Sequence, residues 1–88
     1  TIMRHIAVRY GAQNVRANCI SPGSTLHERL EQELDDATKQ WCLDLAVLKS
    51  RLGRPEDIAA MSALLMADEG AYITGQVIGV DGGVVLRR

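Results

Sequence analysis

The 88 residues carry 10 lysines and arginines against 11 aspartates and glutamates. That near-balance argues against a nucleic-acid binder, which shows a basic excess. Aromatics make up 3% (Trp41, Tyr10 and Tyr72, with no phenylalanine), too few rings for a base-stacking surface. An apolar share of 47% and a charged share of 24% suit a globular chain and not a disordered one. The uncharged stretches at 58–67 and 70–80 are too short to span a bilayer, and no segment reads as a signal peptide. The expectation is a cytoplasmic protein that partners neither a membrane nor a nucleic acid.

The charge is unevenly placed. Residues 1–25 hold Arg4, Arg9 and Arg16 and no acid, whereas residues 26–48 hold six acids and two bases. The acidic block reads as a solvated helix face. Cys19 and Cys42 are the only thiols. One lies in a strand-like run and the other in a helix-like run, with no CxxC spacing. They read as reduced, small apolar residues. A zinc site needs about four clustered ligands. His5, Cys19, His27 and Cys42 are spread too far apart, so no metal site is expected.

Residues 2–10 place Ile2, Met3, Ile6 and Tyr10, with Ala7 between them, at helical spacing. Gly11 offers a stop, since glycine accepts the left-handed conformation. Val15 to Ile20 is short and β-branched at both ends, which predicts a strand. Its poor alternation suits a strand covered on both faces. Pro22 and Gly23 end it. Leu26, Leu30, Leu34, Trp41, Leu45 and Leu48 then recur with helical periodicity, with room for a break near Asp35-Asp36. This stripe either covers a core or lines an apolar cleft.

Gly53-Arg54-Pro55-Glu56-Asp57 predicts a helix start, with proline at the first helical position and two acids at the positive end of the dipole. Ile58, Met61, Leu64 and Leu65 supply its buried face, and Asp68-Glu69-Gly70 ends it. Gln76 to Asp81 reads as a strand stopped by Gly82-Gly83. Two strands joined by helical material make a parallel crossover. Such a pair has two open edges and little area to cover its helices, and parallel sheets sit inside larger α/β domains. The pattern therefore predicts part of a larger sheet, unless a partner subunit or strand exchange covers the edges.

Met3 to Gly11, Val15-Arg16-Ala17-Asn18 and Ser21-Pro22-Gly23 together resemble the C-terminal third of the short-chain dehydrogenase/reductase family. Gly53 to Ala59 resembles its helix-starting motif. Tyr72-Ile73-Thr74-Gly75-Gln76 with Val80-Asp81-Gly82-Gly83 resembles its last strand. The resemblance implies a Rossmann-like, doubly wound parallel sheet. Residues 15–20 would be its sixth strand and 76–81 its seventh. Residues 1–88 would be the C-terminal segment of one such domain, with the cofactor-binding and catalytic part upstream. It implies a parent oxidoreductase that uses NAD or NADP to move hydride to or from a carbonyl or alcohol carbon.

Catalysis in the family resembles acid–base work by a tyrosine with a lysine four residues later. Tyr10 is followed at that spacing by Asn14 and Tyr72 by Gln76. No catalytic residue is therefore expected here, and the segment alone is expected to be inactive. Gly75, Gly79, Gly82 and Gly83 do not form the family's phosphate-cradling loop. The resemblance does place cofactor contacts at Pro22, Gly23, Ser24 and Thr25, with the Thr25 backbone meeting the nicotinamide carboxamide. The turn is otherwise an ordinary one that uses proline and glycine for shape. His27 stands where the family often has a phosphate-binding threonine, and is otherwise a surface imidazole. Leu26, Leu30, Leu34 and Trp41 match the variable substrate-binding helices. Their acidic face disfavours an anionic carrier protein. The family also implies a homo-oligomer through the 55–67 helix and the 76–81 strand. A small non-catalytic association module is the alternative.

Overall fold

The computed structural model describes residues 1–26 and 28–87. Helix α1 spans Ile2–Tyr10, as the spacing predicts. It does not stop on a left-handed glycine. Gly11 keeps helical dihedrals (φ −61°) and opens a 3-10 turn, and Asn14 takes the left-handed position at φ 63°. Asparagine tolerates that region, and its N–H closes the turn on the Gly11 carbonyl at 2.9 Å. Of the apolar stripe, Ala7 is buried, Met3 and Ile6 are half-buried and Ile2 is exposed.

Strand β1 is Cys19–Pro22 and strand β2 is Val77–Val80. The first therefore starts four residues later than the β-branched run suggests. Residues 16–18 pair with the segment before β2 partly through side chains, not a regular ladder. Arg16 Nη1 donates to the Leu65 carbonyl at 2.6 Å and to that of Ile73 at 3.4 Å. The Ala17 N–H donates to Thr74 Oγ1 at 3.1 Å. Asn18 bonds at both ends of its amide, giving to Ile73 O at 3.1 Å and accepting from Gln76 N at 3.0 Å.

Only beyond Asn18 does the parallel register run, from Cys19 opposite Val77 to Pro22 opposite Val80. Cys19 N donates to Gln76 O at 2.8 Å and Gly23 N to Val80 O at 3.1 Å. Alternate residues of a parallel strand donate to one neighbour. The nitrogen of Pro22, which has no hydrogen to give, therefore falls on the edge away from β2.

Helix α2 covers Glu28–Glu33 and α3 covers Asp36–Leu45. The break falls at Asp35, whose carboxylate accepts from Thr38 N at 2.7 Å and caps α3. Leu48 lies beyond α3 and is exposed. Lys49 Nζ donates to the carbonyls of Leu43 and Asp44 at 3.0 and 3.1 Å, satisfying the negative end of that helix. Helix α4 is Pro55–Met66, with proline at its start. Asp57 Oδ2 accepts from Arg54 N at 2.7 Å, which serves an otherwise orphaned amide. Ile58, Met61 and Leu65 are half-buried, but Leu64 turns outward and is 40% exposed. Gly82 and Gly83, at φ 61° and 87°, turn the chain out of β2.

Helix α4 packs against both strands. Ile20, Ile78 and Val80 are half-buried, while Cys19, Ser21, Val77 and Gly79 are exposed. The chain thus covers one face of its sheet, not the two that the sequence suggests. Both thiols are free, and Cys19 is exposed instead of serving as a core residue. No helix among the described residues is long and apolar enough to cross a membrane.

The surface is large for the mass. It measures 6679 Å² for 9.6 kDa, against about 5,100 Å² for a compact monomer of that size. The radius of gyration is 15.7 Å, against about 12 Å for a compact chain of this length. Apolar side chains carry part of the excess: Val8 is 85% exposed and Met66 78%.

Candidate functional site

The two strands run parallel, so their C-terminal ends meet at one edge, where open α/β sheets bind ligands. The turn Gly23-Ser24-Thr25 leaves β1 at this edge, beside Asp81 at the end of β2. Gly23 is glycine because of that neighbour. A Cβ on it would lie 2.7 Å from Asp81 Cα and 2.8 Å from Asp81 Cβ.

Thr25 forms a parallel bridge with Gly53. The bonds of this bridge belong to its neighbours: Gly53 N donates to Ser24 O at 3.1 Å, and Leu26 N donates to Gly53 O at 2.9 Å. The Thr25 N–H and C=O therefore point the other way, and neither has a backbone partner among the described residues. The side chain turns back, with Oγ1 donating to Gly23 O at 3.2 Å. The result is one donor and one acceptor, with no backbone partner among the described residues, at the C-terminal edge of a parallel sheet.

A cavity of about 320 Å³ opens beside this turn. Ser24 and Thr25 form one wall, Cys42 of α3 and Ala46 just beyond that helix another, and Val80 and Asp81 a third. Arg51 and Asp57 stand on the lining as a two-pronged ion pair, Nη1 to Oδ2 at 2.7 Å and Nη2 to Oδ1 at 2.9 Å. The Arg51 hydrogen bonds, joined by the Arg54 amide, hold the Asp57 carboxyl down at about 2. The same contact raises Arg51, so both stay charged.

The sequence-derived site residues divide. Ser24 and Thr25 line the cavity, while Gly23 sits behind them and Pro22 is exposed on the strand end. Leu26 is buried and lines a separate cavity of about 230 Å³ with Leu43 and Leu52. Leu30 and Leu34 are half-buried and Trp41 is 63% exposed, and none of them lines the larger cavity. His27 lies outside the described residues. The sequence reading passed over Cys42 on α3 and Ala46, which follows that helix in extended backbone. It also passed over Arg51, Asp57 and Asp81. Nothing local in the sequence pairs Arg51 with Asp57 or brings Asp81 against Gly23.

A family model described as enoyl-(acyl carrier protein) reductase matches residues 1–85. A probable short-chain type dehydrogenase/reductase of Bradyrhizobium diazoefficiens is 45% identical over 80 residues, 91% of this chain and 28% of its own. A 3-oxoacyl-[acyl-carrier-protein] reductase of Thermotoga maritima is 35% identical, over 91% of this chain and 32% of its own. Among solved structures, a short-chain type dehydrogenase/reductase of Mycobacterium ulcerans aligns with a TM-score of 0.84 at 35% identity, over 99% of this chain and 32% of its own. A 4-hydroxyisoleucine dehydrogenase complexed with NADH aligns with a TM-score of 0.80 at 28% identity, over 99% of this chain and 34% of its own. The chain belongs to the short-chain dehydrogenase/reductase family. It has the α/β fold of part of the Rossmann-like domain found in that family, and it spans about a third of the length of these relatives.

Proposed function

We propose that residues 1–88 are the C-terminal part of an NAD(P)-dependent oxidoreductase domain, cytoplasmic in location, that interconverts a small carbonyl compound and its alcohol. The free donor–acceptor pair of Thr25 carries this reading. A carboxamide has one oxygen to accept and an NH₂ to donate, and the Thr25 N–H and C=O offer the complements. Pro22 and Gly23 hold that peptide at the sheet edge, and Gly53 holds it from behind through Ser24 and Leu26. A nicotinamide bound there supplies or receives the hydride. The side chains of this segment position the ring and flank the substrate. Leu30 and Leu34 are half-buried and Trp41 is exposed, so each leaves apolar side chain open to a ligand. The acid–base pair and the pyrophosphate loop belong to the rest of the domain, so the 88 residues alone turn nothing over.

A chimera tests this reading. Residues 1–88 replace the corresponding segment of the Bradyrhizobium relative, and NADH- and NADPH-dependent reduction of a ketone panel is followed by absorbance. Turnover in the chimera, with none in the isolated chain, is the expected result. A Thr25→Pro change removes the N–H and should raise the KM for cofactor about tenfold or more. A folded chimera that binds no nicotinamide cofactor refutes the reading.

A second reading is self-association through α4 and β2. Its motive is the outer edge of β2, open in a two-stranded sheet, together with the exposed side chains of Leu64 and Met66 on α4 and Val77 on β2. Sedimentation of the chain decides it, since a monomer across the micromolar range removes the motive.

A further inference from the structure

The peptide of Thr25 is held from behind by a loop. Residues 46–54 join α3 to α4 with no helix and no strand beyond the bridge at Gly53. Gly53 meets the turn closely. Its N–H and C=O bond Ser24 O and Leu26 N, and a Cβ on it would lie 3.2 Å from both Ser24 O and Thr25 Oγ1. Arg51 precedes Gly53 in this loop, and Asp57 follows it in the first turn of α4. Arg51 Nη1 donates to Asp57 Oδ2 at 2.7 Å and to Leu52 O at 3.0 Å, and Nη2 donates to Asp57 Oδ1 at 2.9 Å. Asp57 Oδ2 also accepts from Arg54 N at 2.7 Å. These bonds close around residues 52–54 on both sides of Gly53. Helix α4 packs against both strands, so Asp57 stands on a fixed support.

We infer that the Arg51–Asp57 fork is a positioning device: it holds Gly53 in register with Ser24 and Leu26, and so sets the direction of the Thr25 N–H and C=O. Both side chains act through Gly53. An ion pair open to solvent adds little to global stability. A two-pronged contact between arginine and carboxylate does fix orientation, and here it orients a loop that no ladder holds. The consequence for function rests on the dehydrogenase reading, since the peptide so placed is the one offered to a nicotinamide carboxamide. A carboxamide that accepts and donates at once needs both peptide groups within about 2.7–3.2 Å together, and a swing of the turn spoils both bonds.

The chimera carrying residues 1–88 is compared with its Arg51→Lys and Asp57→Asn variants. Lysine keeps the charge and leaves the bond from Arg54 N to Asp57 in place, but it offers no fork. Amide hydrogen exchange is read first, without cofactor. Exchange at Leu26 and Gly53 should rise about tenfold in both variants, while the Cys19 and Gln76 amides of the sheet stay within about twofold and show that the domain is folded. The KM for the nicotinamide cofactor should then rise about fivefold in each variant, with a smaller fall in kcat. The double variant should be no worse than the worse single one, because either change already opens the fork.

An arginine that met the cofactor phosphates directly would behave in the opposite way. Arg51→Lys would keep the KM, and Asp57→Asn, by freeing the cation, would lower it. Either result overturns the inference, as do unchanged exchange at Leu26 and Gly53 or multiplied effects in the double variant. The two readings fail separately. Turnover with no response of the two amides or of the KM sinks only the fork. A response of the two amides in a chimera that binds no nicotinamide cofactor upholds the hold on Gly53 and sinks only the dehydrogenase assignment.

Discussion

Replacing Gly23 with alanine is the sharpest test of how the site edge is built. The added Cβ would stand 2.7 Å from Asp81 Cα, 2.8 Å from Asp81 Cβ and 3.1 Å from the Asp81 carbonyl oxygen. Carbon atoms rest at about 3.5–4.0 Å, so the overlap is close to 1 Å. The nearest atom is backbone, and no rotamer change relieves it. The ends of β1 and β2 must part, stretching the Gly23 N to Val80 O bond from its 3.1 Å. Overpacking costs about 1–3 kcal/mol and a weakened hydrogen bond adds about 1 kcal/mol, so a loss of about 3 kcal/mol is expected. In a domain of the chimera's size that lowers the melting temperature by about 6–12 °C, readable by scanning calorimetry. Gly11→Ala is the control. Gly11 has helical dihedrals and open space where a Cβ would go, so alanine there should stabilise by about 0.5 kcal/mol. An unchanged melting temperature for Gly23→Ala refutes the close-approach argument. Full rescue by a second change, Asp81→Gly, also refutes it, because the Asp81 Cα would still be in the way.

Three further outcomes are expected. Asn18→Ala removes both amide bonds to the 73–76 segment, at about 1 kcal/mol each; hydrogen exchange at the Gln76 amide should accelerate markedly, and unchanged exchange counts against the side-chain pairing. Asp57, held at about 2 in the folded chain against an ordinary 3.8, stabilises the fold fully above the higher value and loses that contribution as pH falls towards the lower. Acid titrations of the wild type and Asp57→Asn should therefore converge between about pH 4 and pH 2, and parallel curves contradict the assignment. Asp35→Ala removes the cap on Thr38 N; the first turn of α3 should fray, seen as faster amide exchange at Thr38 than in Asp35→Asn.

Much of this was legible in the residues. Pro55 with Glu56 and Asp57 marked the start of α4, and Asp35-Asp36 marked the break between α2 and α3, because capping is chemistry within three or four positions. The two short runs joined by helices required parallel pairing, and the order of turns and motifs pointed to the fold class and to a sheet with open edges. Local rules misplaced the start of β1. Val15 has the β-branching of a strand, yet Arg16 and Asn18 bond through their side chains to Leu65 and Ile73, 49 to 57 positions away.

Helix starts and breaks were thus legible in the sequence alone, since each depends on neighbours along the chain, whereas the Rossmann-like class followed from the resemblance to the family. Tertiary structure alone decided the register of Cys19 on Val77 and the contact of Gly23 with Asp81. It also decided which peptide of the 23–25 turn is left free. These depend on where distant segments meet, and hydrophobic periodicity carries no information about the distance between two backbones that cross.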